Sequence, residues 1–202
     1  MLGQRQYRSH MRPYPTRSLS LILLLGLPLS LGCGPKRDPN MVYHASGLPL
    51  WQGHATELFD DNIDPSAVGL SMEGPSPRAD RFLRERSQTA DVVARVRVNT
   101  VTVDTVGDDT TYHLNIQVGV PTLAKPKIED RAFELIIRSS NRAFGIARAF
   151  DSRLRGQTFI GFVNRFANQD GEPEVHWHLA PDTAEVAAAV KEAVALGELS
   201  GS

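Results

Sequence analysis

The chain has 202 residues, with 22 Lys and Arg against 23 Asp and Glu, and a single cysteine. One cysteine excludes a disulfide framework and a thiolate metal site. No internal repeat and no Gly-rich phosphate loop is present, and the length suits one core of ordinary size.

The chain opens on Arg5, Arg8, Arg12 and Arg17 with no acidic residue, followed by a thirteen-residue apolar run from Leu19 to Leu31 that contains Pro28. About 20 apolar residues are needed to cross a bilayer core, so this run is too short to span. A basic region, a short apolar stretch and small residues at a cut read as a secretory signal. The next residues, Leu29-Ser30-Leu31-Gly32-Cys33, resemble the lipobox of bacterial lipoproteins, with Ser30 at the position where an aliphatic residue is favoured. The resemblance implies cleavage by signal peptidase II before Cys33, a diacylglyceryl thioether on Cys33 and acylation of the new amine. Gly34 in place of Asp after the cysteine implies the outer membrane, facing the periplasm. One acyl chain holds a protein marginally, whereas two or three hold it lastingly. The alternative is an ordinary secreted protein with one stray cysteine. Loss of residues 1–32 removes four arginines and no acid, which takes the formal charge from −1 to −5.

Residues 33–53 carry three prolines and several polar residues, as expected of an extended lipidated tether whose end Leu48, Leu50 and Trp51 pin to the body. Residues 54–90 read as a helical N-terminal segment. Asp64-Pro65 has the form of an N-cap followed by Pro at the first helical position. Ser76-Pro77 repeats it and predicts a helix to about Ser87, with Phe82 and Leu83 facing the core.

A β-rich block follows. In "DVVARVRVNTVTVD" the apolar positions are Val92, Ala94, Val96 and Val98, then Val101 and Val103, so the parity switches at Asn99-Thr100. A one-residue slip moves side chains to the other face, and a bulge or bend there is the economical explanation. Gly107-Asp108-Asp109 is turn chemistry, after which Leu114, Ile116, Val118 and Val120 alternate with polar residues. Further strands are expected at "AFELIIRSS", "QTFIGFVNRF" and "EVHWHLA". Asp182 and Glu185 suggest a capping-box start to a closing helix along Val186, Ala189, Val190, Ala193 and Val194. Gly197 is its expected stop.

The pattern therefore predicts an α+β fold: a small, mostly antiparallel β-barrel over residues 91–199, with short N-terminal helices and a docked C-terminal helix. The phrase "ADVVARVRV … LRGQTFIGFVNRF" resembles small OB-like or metalloproteinase-inhibitor-like barrels of exported bacterial proteins. It covers about half the chain, and such a likeness in fold transfers no activity.

Three stretches are candidate sites. "FDDNIDPSAVGLS" places Asp60, Asn62 and Asp64 at alternate positions, but Pro65 and Ser71 stand where a calcium loop needs Gly and Glu. Helix capping and solvated charge explain it. "EVHWHL" puts Glu174, His176 and His178 on one face of a strand, a set able to hold Zn²⁺ or another divalent ion, with His113 joining only if its strand is adjacent. The alternative is an exposed polar face with Trp177 buried behind it. Finally, residues 131–167 hold seven arginines against Glu134 and Asp151, whereas residues 168–202 hold seven acids against Lys191. Either the two segments neutralise one another, or Arg142, Arg153 and Arg155 belong to a basic face aimed at an anionic surface. Phenylalanines interleave these arginines as in single-strand nucleic-acid platforms, but export argues against nucleic acid as partner.

No G-x-S-x-G and no nominated triad is present, and no cofactor is called for. The leading expectation is a non-catalytic lipoprotein, bound to the membrane by its lipid anchor and holding an envelope protein, anionic polysaccharide or anionic surface. The alternatives are a solute- or metal-capture lipoprotein serving an ABC importer, and a hydrolase of unrecognised type.

Overall fold

The computed structural model describes residues 40–119, 123 and 131–200. The signal segment, Cys33 and the start of the tether lie outside the described residues. Asn40 to Trp51 run along the body: Ala167 N–H donates to Pro49 O at 2.8 Å, and the Trp51 Nε1–H donates to Phe59 O at 2.8 Å. Trp51 thus pins the tether end as expected.

The first helix, α1 (His54–Leu58), is one turn long. Its terminal carbonyls, Glu57 O and Leu58 O, accept from the buried guanidinium of Arg86, a cation placed where the helix dipole is negative. Strand β1 (Asn62–Ile63) follows, and then a 3₁₀ turn over Pro65–Val68. Asp64 caps that turn by accepting from Ser66 N–H at 2.8 Å, as the Asp-Pro pair predicts. The next helix, α2 (Arg81–Thr89), begins later than the Ser76-Pro77 reading placed it, and its cap is Asp80, which accepts from Leu83 N–H. Ser76 O instead accepts from Ala79 and Asp80 N–H in a preceding turn. Leu83 is buried, but Phe82 is exposed and lies beneath Arg86.

Five longer strands complete the sheet: β2 (Val92–Val106), β3 (Asp109–Val118), β4 (Ala132–Ile137), β5 (Thr158–Ala167) and β6 (Pro173–Pro181). Helix α3 (Phe144–Leu154) separates β4 from β5, and α4 (Ala184–Ser200) ends the described chain. The strand order is β1-β6-β5-β2-β3-β4. The β1–β6 pair is parallel and the others are antiparallel. The result is an α+β fold with a curled, mixed six-stranded sheet. The sheet is mostly antiparallel, as the strand pattern suggested, and its one parallel pair arises because two residues after α1 lie down beside β6.

The parity switch is real. The β2–β3 register shifts between Val98 and Thr100, and Val96 pairs with Val118, both buried. At the hairpin end Gly107 takes φ 62°, the first-position glycine of a two-residue turn between Val106 and Asp109.

The sheet buries both faces along β5, which explains its unbroken apolar run. On one face Val96, Leu114, Ile116, Leu135, Phe159 and Trp177 pack with Ala143, Ala147 and Leu154 around α3. On the other, Ile160, Phe162, Phe166 and Ala180 pack under α1, α2 and α4. Helix α4 is capped by the Thr183 hydroxyl, which accepts from Val186 N–H. The expected cap, Asp182, instead takes the Arg95 guanidinium at 2.8 Å. Nor does Gly197 end α4. It lies within the helix, where a Cβ would stand 3.1 Å from Gln88 Cγ, so α2 and α4 approach closely there.

Candidate functional site: paired Asp–His clamps beside an arginine-lined helix

The curl carries the segment after β4 round to β1. Asn141 Nδ2–H donates to Asp61 Oδ2 at 3.0 Å, and Ala143 N–H to Asp61 O at 3.1 Å. Asp61 has φ 46°, a left-handed conformation that short polar side chains tolerate best after glycine. It clamps the outer edge of β6: its N–H donates to Trp177 O at 2.9 Å and its Oδ1 accepts from Trp177 N–H at 3.2 Å. One residue thereby stands in for a further rung of β1. A cleft of about 220 Å³ opens beside it, lined by Asp61, Glu134, Leu135, Arg138, Asn141 and Val175.

His176 and His178 share a face of β6, as alternation requires. They are buried under the helices, not exposed, with Trp177 buried behind them. Each finds an aspartate. His176 Nδ1 lies 2.9 Å from Asp61 Oδ2 and His178 Nδ1 2.8 Å from Asp60 Oδ1. Carboxylates only accept, so both Nδ1 atoms carry the proton. The reading of Asp60 as solvated charge is therefore corrected: Asp60 and Asp61 are both buried, and burying a charge costs heavily unless it is paired.

The electrostatics of the Asp60–His178 pair follow from burial. For Asp60, burial pushes the carboxyl up, but the His178 Nδ1–H bond and the nearby Arg86 charge outweigh it and hold the group below the usual carboxylate range. For His178, burial holds the imidazole below its usual range and the Arg86 charge adds to this, against the opposing pull of Asp60. Asp60 is thus ionised and His178 neutral near pH 7. The second Asp60 oxygen lies 3.5 Å from Arg142 Nη1, so a short chain of contacts runs from His178 to the surface.

The other histidine is enclosed differently. Trp51 stacks on its ring with centroids 3.6 Å apart and planes 5° from parallel, and Phe166 meets it edge-on. Its Nε2 is buried and makes no hydrogen bond among the described residues; Glu174 Oε1 is 3.2 Å away but out of line. Glu174, His176 and His178 thus sit together on β6, with both Nδ1 atoms committed to aspartates. No trio of His, Cys, Asp or Glu among the described residues gathers closely enough to hold a metal ion. His113 does not join them. It lies on β3, two strands from β5, 3.3 Å from both Asp104 and Glu134.

The three arginines are not one cluster. Arg142 stands at the entry to α3, whereas Arg153 and Arg155 stand at its exit, an eleven-residue helix away. All three are exposed, as are Arg138 and Arg148. Arg153 lies over the Phe150 ring at 5.3 Å, and Arg155 Nη2–H donates to Val101 O at 3.3 Å. Strands β5 and β6 bring the two segments side by side, but among the described residues no arginine of 131–167 forms an ion pair with an acid of 168–202. Asp182 and Glu192 pair with Arg95 and Arg78, and Arg142 and Arg165 pair with Asp60 and Asp91.

Sequence reasoning missed Asp60, Asp61, Asn141 and Trp51 as neighbours of the histidines. Two adjacent acids and an H-x-H are each visible in the sequence, but nothing local links them across more than a hundred residues. No protein family matches the chain, and no curated protein or solved structure matches it.

Proposed function

We propose that this is an exported protein anchored through an acylated Cys33 in the outer membrane, facing the periplasm, with a non-catalytic body that holds an anionic envelope surface through the arginines around α3. One observation carries the reading: Arg138, Arg148, Arg153 and Arg155 are exposed and, among the described residues, none is within 4 Å of a carboxylate. Exposed guanidinium groups with no carboxylate partner suit phosphate or carboxylate groups bidentately. An acidic envelope protein or an anionic polysaccharide offers the same chemistry as a lipid headgroup. The strands β2 to β6, with α3 between β4 and β5 and a gap between the β4 and β6 edges, support reading the body as a partly open OB-like barrel.

The test is sedimentation of residues 34–202 with vesicles. Exposed charges are screened over roughly 8–10 Å at physiological salt. Binding to anionic vesicles should therefore weaken as salt rises, be absent on zwitterionic vesicles, and be lost in an Arg142→Gln, Arg153→Gln, Arg155→Gln triple variant. Binding that ignores salt and the triple substitution would overturn the proposal.

Metal capture is the second reading, favoured by the Asp–His pairs, since ligating imidazoles commonly donate their other N–H to a carboxylate. It expects stoichiometric Zn²⁺ uptake in calorimetry that His178→Ala abolishes, with no vesicle binding.

A further inference from the structure

Beyond Val98 the long strand β2 becomes an edge of the sheet, and past Val101, which is still buried, it runs out into solvent. Residues 92–97 pair with β5, and Val98 still exchanges bonds with Gly156 and Gln157. From Asn99 to Val106, however, β2 has β3 as its only strand partner among the described residues, and residues 102–109 are exposed throughout. Opposite residues 100–103 strand β3 is backed by β4, and only residues 104–106 form a two-stranded ribbon with β3; an unpaired outer edge of this kind is a template for another strand. Edges are normally blunted by lysine, proline or brevity. This one is eight residues long, rich in Val and Thr, and carries Asp104 as its only charge.

Its hydrogen-bonding parity can be read directly. Val101 O points away from β3, because it accepts from Arg155. Along a strand these groups alternate, so Val103 and Thr105 also aim their N–H and C=O outward. An outward-facing residue at the centre of a segment can pair with itself about a two-fold axis.

We propose that a second copy of this chain adds antiparallel to the β2 edge, centred on Val103, so that two curled sheets join through their hairpins. Val103 then faces Val103 of the other copy, Val101 faces Thr105, and Thr102 faces Asp104, with no like charges opposed. The ends match as well. The acidic turn Asp108-Asp109 of each copy lands beside Arg97 and Arg155 of the other, which are exposed and have no carboxylate partner among the described residues. Arg155 gives up Val101 O to the incoming Thr105 N–H and turns to the aspartates. Such a contact is isologous and closed, giving a dimer, not a fibre.

Light scattering on the full chain in detergent solution, with the detergent mass subtracted, tests this. The wild type should have twice the mass of the single chain at micromolar concentration. Val103→Lys, which sets two like charges directly opposite one another, should return it to a single chain with unchanged far-ultraviolet circular dichroism. The Asp108→Asn, Asp109→Asn double variant keeps the edge but loses the end contacts, so its dimer should dissociate at higher concentration than the wild type. A single-chain wild type would overturn the proposal, and so would a dimer that Val103→Lys leaves intact. A double variant that dimerises as tightly as the wild type would reject the Val103-centred register.

Discussion

Asp60 is engaged through both of its carboxylate oxygens. One oxygen holds the buried His178 and the other faces Arg142. Asp60→Ala leaves the His178 Nδ1–H buried without an acceptor, and an unsatisfied buried donor costs roughly 1–3 kcal/mol. Urea unfolding should show a loss of that size; a change within about 0.5 kcal/mol, the range of ordinary surface substitutions, would mean that the pair is not holding the fold. The pair also sets a pH dependence. His178 is held below its usual pKa when folded, so below about pH 6.5 the unfolded chain takes up a proton that the folded chain refuses. Stability should fall as pH drops through that range. Asp60, also lowered, adds a second loss further down, as pH falls through the carboxylate range. His54 is raised instead, by hydrogen bonds to Glu57 and Glu85. Its contribution has the opposite sign, present in acid and lost as pH rises, but it is solvent-screened and small. The net expectation is a lower urea midpoint at about pH 5 than at about pH 7.5, with a flatter profile in His178→Gln. Equal slopes in the two proteins would remove His178 as the cause.

At the scale of elements, the sheet depends on close approach where β5 runs between β2 and β6. Gly161 sits opposite Ala94, with Val96 and Leu179 around it. A Cβ there would lie 3.2 Å from Val96 Cγ2 and 3.4 Å from Leu179 Cδ2. Gly161→Ala should therefore destabilise by about 1–3 kcal/mol, the usual cost of overpacking a core, read as a lower thermal midpoint. A raised midpoint would show that the neighbours give way freely and that the alanine's lower unfolded-state entropy dominates. Element identity was largely legible beforehand, since periodicity located the five strands β2 to β6 and helix α4. Helix α3 was not foreseen. Its stretch "FGIARAFDSRL" shows an apolar stripe at Phe144, Ala147 and Leu154 only once Phe150, non-helical at φ −132°, is taken out of the pattern. Cap positions also moved. Asp80 outcompetes Ser76, and Thr183 outcompetes Asp182, which is drawn off by Arg95.

For the whole molecule, the proposed anchor and the proposed basic face are separable. With Cys33 as the acylated residue, Cys33→Ala should abolish metabolic palmitate labelling and processing by signal peptidase II, while residues 34–202 keep their vesicle binding. Labelling unchanged in the mutant would refute the lipobox reading without touching the arginines. The described residues contain no helix long and apolar enough to cross a membrane, so within them the proposal places no span. Its attachment rests on acyl chains, each buried methylene of which contributes about 0.8 kcal/mol.

By itself the sequence determined the strands, the bulge at Asn99 and the shared face of Glu174, His176 and His178, because all of these follow from local periodicity and backbone geometry. It could not decide what the histidines meet. That depended on two residues after α1 lying parallel to β6, and on the sheet curling far enough to bring Asn141 to Asp61. Both are contacts between segments more than seventy residues apart, with no local signature. Burial then reversed the expected chemistry. A strand face that alternation alone left open to solvent is covered by Trp51 and the helices, and the two aspartates that read as solvated charge became buried partners of the histidines.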